Sequence, residues 1–321
     1  MIIARAPLRI SLFGGGSDLP VFLKRNQGRV LSLAINLSVY VIGHPFKHRK
    51  GILLKYSRTE DVSEAIQLQH PIAREVFSRY SIRDFDIAVM SDVPSGSGLG
   101  SSSAFTVGCI AFARAASRLS STAFDLASEA ANIEINVLGE PIGRQDQWAS
   151  AYGDLNRLDF SGETVTVHRM GISSSTKNKL ERNLFLLPVG EPRSTKAILT
   201  NQIHNLETSG EIEAIVRQMV SLVDEGIHAL QKNTDDLGHL LDETWRLKRK
   251  MTSGISNDLV DETYRRGLES GATGGKLLGA GASGYMLFYV PESAHEKFHS
   301  QFPTAFRIQL NSIGAGIVHE S

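Results

Sequence analysis

The sequence reads as an α+β protein of two domains that share a cleft, and three observations predict this. The chain has 321 residues, enough for two hydrophobic cores. Segments with a period near two and segments with helical period are mixed without strict strand–helix alternation, which disfavours a doubly wound parallel sheet. Between them, the polar stretch Ser173-Ser174-Ser175-Thr176-Lys177 breaks the pattern and serves as a junction. The expected domains are therefore 1–172 and 173–321.

Residues 1–13 are apolar and extended, then break at Gly14-Gly15-Gly16-Ser17-Asp18. Residues 29–43 alternate as a strand, and 52–57 and 84–90 are further strands. Long helices are expected over 101–118 and 122–139. Thr122 and Asp125 form a capping box for the second, which Gly139 and Pro141 end. Residues 155–168 read as a hairpin turning at Ser161-Gly162. Beyond the junction come a strand at 183–189 and helices at 211–232, 235–252 and 256–270, the last with Ser256 as N-cap. A strand at 285–290, another helix and a strand near 306–310 follow.

Composition narrows the function classes. Lys+Arg and Asp+Glu balance at 34 each, which argues against a broad nucleic-acid surface. The single cysteine, Cys109, excludes an intramolecular disulfide and sits in an apolar run, so a buried, inert thiol and a cytoplasmic location are expected. The apolar start is too short for a signal peptide. The longest candidate span, 104–116, is interrupted by Arg114, so no membrane association is expected.

The most informative stretch is 94–104, Pro-Ser-Gly-Ser-Gly-Leu-Gly-Ser-Ser-Ser-Ala, followed at once by an apolar helical run. Gly96, Gly98 and Gly100 let backbone approach a ligand closely. Ser101, Ser102 and Ser103 fall where a helix begins, and unpaired N–H groups with a positive dipole end favour an anion there. The stretch is neither a Walker A loop nor a dinucleotide fingerprint. A phosphate cradle, with a hydroxyl free for a metal ion, is the functional reading; a solvated Gly/Ser turn is the bland one.

Other segments point to the same chemistry. Glu134 lies in an apolar helical stripe, flanked by Ala130, Ala131, Val137 and Leu138, so it must be paired, hydrogen-bonded or on a metal. Asp146, in Gly143-Arg144-Gln145-Asp146-Gln147-Trp148, follows a turn and can accept a hydroxyl proton or cap a helix. Arg9, inside an apolar strand, can neutralise a phosphoryl group or hold the base carboxylate. Asp18 can accept two sugar hydroxyls or close an Asx turn. Residues 271–284 hold six glycines between a helix and a strand, with Lys276 as a further phosphate candidate.

Together these residues resemble the GHMP kinases, through segments 4–18, 94–104 and 271–284 taken in order. The resemblance implies an N-terminal ribosomal S5-like βα domain and a C-terminal ferredoxin-like domain, with ATP and acceptor bound between them. It implies triphosphate binding by Pro94, Gly96, Gly98, Leu99, Gly100, Ser101, Ser102 and Ser103, and Mg²⁺ at Ser102 and Glu134. Asp146 matches the proposed catalytic base, Arg9 the basic residue of the first motif, and Asp18 the sugar-binding aspartate, beside Gly15, Gly16 and Ser17. Within the family, the segment from Leu8 to Pro20 and the Gly-Arg-Gln-Asp-Gln-Trp stretch look most like heptose 7-phosphate 1-kinases. That implies transfer to the anomeric C1 hydroxyl of a heptose, in nucleotide-heptose and surface-polysaccharide synthesis. A distal phosphate would need a basic cluster, for which Arg144, Arg193, Lys196 and Lys276 are candidates. Other sugar 1-kinases, acting on galactose, fucose or an unphosphorylated heptose, stay open, as does a non-catalytic sugar and ATP sensor. The expected partner is a small-molecule sugar or sugar phosphate, with a homodimer as the candidate assembly.

Overall fold

The computed structural model describes residues 1–191, 196–311 and 313–321. Residues up to Arg169 build the larger of two sheets. Strands β1 (Ile2–Phe13) and β2 (Gly28–Pro45) form its spine as a long antiparallel pair, with the short helix α1 (Pro20–Leu23) in the turn between them. Then come β3 (Ile52–Lys55), β4 (Thr59–Val62), α2 (Pro71–Arg79) and β5 (Phe85–Ser91). Strand β2 is long enough to serve two neighbours on one edge. Its first half pairs with β6 (Leu155–Ser161) and its second half with β5. β6 returns as β7 (Thr164–Arg169) through the expected turn at Ser161-Gly162.

Under this sheet lies α3 (Ser101–Ala116), which is apolar on every face and buried from Ser103 to Ala113. α4 (Ala123–Ala131) starts at the expected Thr122–Asp125 capping box, with Thr122 Oγ1 accepting from the Asp125 N–H at 3.1 Å. The sequence predicts one α-helix to 139. Instead α4 passes into a π-helical turn over Asn132–Val137, which carries Glu134. α5 (Gln145–Tyr152) places Asp146 in its first turn, not at its N-cap.

The expected junction at 173–177 is itself helical. Ser173 caps α6 (Ser174–Asn183) by accepting from the Thr176 N–H. A four-stranded sheet follows in the order β11 (Phe306–Arg307), β8 (Leu184–Val189), β10 (Gly284–Tyr289), β9 (Gly274–Leu277). α7 (Lys196–Thr208) meets α1 and α8 (Gly210–Lys232) meets β1 and β2, while α9 (Asp236–Arg249), α10 (Asp258–Glu269) and α11 (His295–Gln301) pack against this sheet. The N-cap of α10 is Asn257, whose side chain accepts from the Val260 N–H, whereas Ser256 gives its hydroxyl to Asp261. Finally β12 (Gly316–Glu320) leaves this sheet and pairs with the free edge of β1. Among the described residues, no helix is long and apolar enough to cross a membrane.

Candidate active site

Two glycine loops meet at the head of a cleft of about 780 Å³. The central loop leads into α3 and the second joins β9 to β10. They touch backbone to backbone: a Cβ on Gly98 would fall 2.6 Å from the Leu278 carbonyl oxygen, and one on Gly279 would fall 2.5 Å from Gly98 Cα. Both residues have positive φ, +80° and +73°, so glycine is required for space and for conformation. Gly100, also left-handed, precedes α3 without any side-chain cap, so the first amides of that helix stay open toward the cleft. Gly96, Gly98, Gly100 and Ser101–Ser103 all line it. Pro94 is exposed and Leu99 is buried in the core, and neither lines the cleft.

Arg9 stands behind this loop. The register between β1 and β2 shifts between Pro7 and Arg9, a local irregularity of the kind that re-aims a side chain. Its Nε donates to Asp146 Oδ1 at 2.7 Å and its Nη2 to Asp146 Oδ2 at 2.6 Å. Nη1 donates to the Gly98 carbonyl at 2.8 Å. This two-pronged pair fixes the carboxylate in plane and direction. Of the two roles open to Arg9, the structure shows the carboxylate-holding one. Asp146 keeps 23% of its side chain exposed, on the cleft side.

Asp18 is buried at 2% exposure and accepts from the backbone N–H and the side-chain Nε2 of Gln145, each at 3.0 Å. Burial raises its pKa, and the nearby Asp146 charge adds to that. Gly15 and Gly16 line the cleft beside it. Ser17 does not: its hydroxyl is turned inward, donating to the carbonyls of Gly14 and Arg29, and holds the glycine turn.

Glu134 is also buried, at 1% exposure. Its Oε2 accepts from Ser103 Oγ at 2.8 Å and from Gln147 Nε2, and its Oε1 accepts from Thr106 Oγ1 at 2.8 Å. The serine bonded to Glu134 is thus Ser103, while Ser102, the expected metal ligand, is exposed in the cleft wall. Burial pushes the Glu134 pKa up to about 7 against the pull of these donors. Among the described residues Glu134 has no ion-pair partner, and no group of three or more His, Cys, Asp or Glu is assembled for a metal.

Two lysines close the cleft floor. Lys276 Nζ donates to the carbonyls of Ser11 and Leu12 at 2.9 and 3.0 Å, tying β9 to β1. Burial, together with Lys248 and Arg9, pushes its pKa well below the usual lysine range. Lys248, on α9, is buried at 8% exposure and was not singled out in the sequence. Its Nζ donates to the carbonyls of Leu277, at 2.9 Å, and of Gly279. Burial, then Arg9, lowers its pKa to about 7. A signal existed: Leu241, Thr244 and Trp245 precede Lys248 at helical spacing and are all buried.

The other basic candidates fall elsewhere. Arg144 turns away from the cleft, donating to the Gly162 carbonyl and facing Glu163 on the β6–β7 hairpin. Lys196 lines the cleft and pairs with Glu140 at 3.3 Å. Arg193 lies outside the described residues. The side-chain oxygens of Ser11, Gln145 and Ser283, three cleft-lining residues, are buried without a hydrogen-bond partner, as suits a polar ligand.

Residues 67–154 match the family model described as GHMP kinases N terminal domain. Over 309 residues the chain is 29% identical to the D-glycero-alpha-D-manno-heptose 7-phosphate kinase of Campylobacter jejuni, covering 90% of this chain and 89% of that one. It is 23% identical to the bifunctional fucokinase/GDP-fucose pyrophosphorylase of Arabidopsis thaliana, covering 91% of this chain but 30% of that longer protein. Its fold matches a D-glycero-D-manno-heptose 1-phosphate kinase from Bacteriodes thetaiotaomicron with a TM-score of 0.79, at 22% identity and with 100% of both chains covered. A galactokinase from Lactococcus lactis complexed with galactose gives 0.72 at 14% identity, over 99% of this chain and 94% of that one.

Residues 67–154 carry the match to the GHMP kinase N-terminal domain, and the whole chain has the two-domain GHMP kinase fold; it is an ATP-dependent phosphotransferase with an alcohol-group acceptor. It is a sugar kinase whose similarity to a heptose phosphate kinase runs along nearly its whole length.

Proposed function

We propose that this kinase transfers the γ-phosphoryl group of ATP to the anomeric C1 hydroxyl of a heptose, with D-glycero-D-manno-heptose 7-phosphate as acceptor. One observation carries the reading: the Arg9–Asp146 pair abuts Gly100 at the start of α3, where a Cβ would fall 3.3 Å from Asp146 Oδ2, and Gln145, next to Asp146, binds the Asp18 carboxylate. Phosphoryl transfer needs mainly positioning and charge neutralisation. The central loop and the start of α3 take the β- and γ-phosphates on their N–H groups. Asp146, held in plane by Arg9, orients the acceptor hydroxyl and takes its proton. Because an anomeric hydroxyl is more acidic than an ordinary alcohol, a modest base suffices. Asp18, aimed by Gln145, accepts from sugar hydroxyls.

A buried carboxylate without a cation suits Mg²⁺, which takes one or two carboxylates together with substrate phosphates. Glu134 and Ser102, with Ser103 beside them, would hold it. The ion would supply neutralisation of phosphate charge. Residues 1–172 and 173–321 are taken as the two domains, with β12 of the second lying on the sheet of the first. The reaction is placed in the cytoplasm, and a homodimer is the assembly proposed.

A panel of sugars with and without a terminal phosphate tests the acceptor. Heptose 7-phosphate should be phosphorylated at C1 with the highest kcat/KM. Equal rates with the dephosphorylated heptose would remove the distal phosphate from the reading. One observation favours that second reading, a simple sugar 1-kinase: Arg144 is engaged on the hairpin instead of in the cleft.

A further inference from the structure

The last turn of α9 carries Arg246, Lys248 and Arg249. A basic helix end is ordinarily explained by the helix dipole and by surface ion pairs. Arg246 and Arg249 fit that account, since both are exposed and pair with Asp242 and Asp261. Lys248 does not. It is buried, faces the cleft, and has no carboxylate partner among the described residues. Its two hydrogen bonds go to backbone carbonyls, which leaves one N–H of the ammonium unassigned.

Of the carboxylates that line the cleft, Asp18 is held by Gln145, Glu134 by Ser103, Thr106 and Gln147, and Glu140 pairs with Lys196. Arg9, Lys248 and Lys276 all line the cleft. Asp146 is already bound in two places by Arg9. Buried ammonium groups without counter-charge are costly, so Lys248 and Lys276 ask for an anion. Its place follows from the two bracing bonds. Arg9 holds the Gly98 carbonyl from one side of the loop contact, and Lys248 holds the Gly279 carbonyl from the other. With those carbonyls turned toward cations, the loops are free to offer N–H groups to the cleft.

We propose that Lys248 is a phosphate-binding residue: two of its N–H groups fix the Leu277–Gly279 backbone, and the third reaches an oxygen of the terminal phosphate of the bound nucleotide, across from Arg9. This rests on the kinase assignment but not on the identity of the sugar.

The test uses the full-length protein with Lys248→Met and Lys248→Gln. Glutamine keeps a donor for the loop carbonyls and removes the charge; methionine removes both. Binding of inorganic tripolyphosphate is measured by calorimetry, with ligand-free thermal unfolding as the fold control. Steady-state kinetics are run with ATP and with the sugar each varied. Both variants should bind tripolyphosphate about 10-fold or more weakly, the scale of one charge-assisted bond. Their kcat should fall further, with the KM for the sugar held within about threefold. Wild-type affinity for tripolyphosphate in Lys248→Gln would overturn the proposal and leave Lys248 a loop brace. A loss confined to the KM of a phosphorylated sugar would also overturn it, since the anion would then belong to the acceptor. Should the wild type bind tripolyphosphate through Lys248 yet phosphorylate no heptose, the acceptor assignment fails and this inference stands.

Discussion

Ser103 and Glu134 meet at 2.8 Å, hydroxyl to carboxylate, across the interface between α3 and the π-helical turn. Thr106, one helical turn after Ser103, takes the other carboxylate oxygen. The two hydroxyls thus clasp an acid whose backbone runs in a widened helix, a local form common at functional sites. The arrangement leaves Ser102 facing the cleft.

That clasp has a pH signature. Burial holds the Glu134 pKa near 7, against an ordinary 4.5. Between those values the folded chain keeps a proton that the unfolded chain has released. Its contribution to stability is therefore present below about pH 4.5 and lost as pH rises through 7, by on the order of 3 kcal/mol. His70, whose pKa burial lowers, works in the opposite direction. The informative quantity is thus the difference between wild type and Glu134→Gln, in which His70 cancels. The glutamine amide can also donate to the Gln147 Oε1, which is buried without a partner. Ligand-free Glu134→Gln should match or exceed wild-type Tm at pH 8 and fall behind it at pH 5, while losing most phosphoryl transfer. Lower Tm at pH 8 with an unchanged Mg²⁺ requirement would make Glu134 a structural residue.

Asp146→Asn should fold and bind ATP but lose about two to four orders of magnitude in kcat, the usual scale of a general base. It should also cost about 1–3 kcal/mol in stability, because an amide N–H would then face the Arg9 guanidinium. Turnover within tenfold of wild type would take Asp146 out of the base role.

Gly98→Ala tests the contact between the loops. The added methyl would meet the Leu278 carbonyl at 2.6 Å and sit on a backbone at φ +80°. Relief requires the loops to part, so the KM for ATP should rise by about tenfold or more, with a strain cost of roughly 1–3 kcal/mol. An unchanged KM for ATP would mean that the loops do not need to touch when nucleotide binds.

Arg144→Ala and Lys196→Ala should separate in their effect on the acceptor. Arg144 is committed to the hairpin, so its loss should leave the KM for a phosphorylated sugar within about twofold. Lys196 lines the cleft, and losing a charge-assisted contact to phosphate there should raise that KM by about 10- to 100-fold. The dephosphorylated sugar should not distinguish either variant from wild type. A large effect at Arg144 alone would show that the hairpin contact opens when substrate binds.

Much of the site was legible because its chemistry demands unusual residues in ordinary places. Arg9 in an apolar strand, Glu134 on an apolar stripe and glycines before a helix all violate the pattern around them. What was not legible depended on exact helical phase or on tertiary partners. Ser102 and Ser103 are adjacent, and which one faces Glu134 is set by the rotation of α3 and by the π turn. That turn reads in sequence as ordinary α-helix. Arg144 sits one residue from Gln145, yet the start of α5 sends their side chains to opposite sides. Lys248 was hidden in a Leu-Lys-Arg-Lys run that resembles a solvated helix end. At the level of the fold, α7 and β12 have weak or exposed patterns, and β12 owes its pairing to the open edge of β1.

The bonds that define this centre join segments very far apart along the chain. Arg9 reaches partners 89 and 137 positions away, and Lys276 reaches back across 264 and 265. Closing such distances costs loop entropy before any contact rewards it, so pairings of this kind form late. The helices and the β6–β7 hairpin, built from near neighbours, can be in place while the centre is still open. Recovery of nucleotide binding after denaturation should accordingly trail the recovery of helical signal, and it marks the moment at which folding is complete.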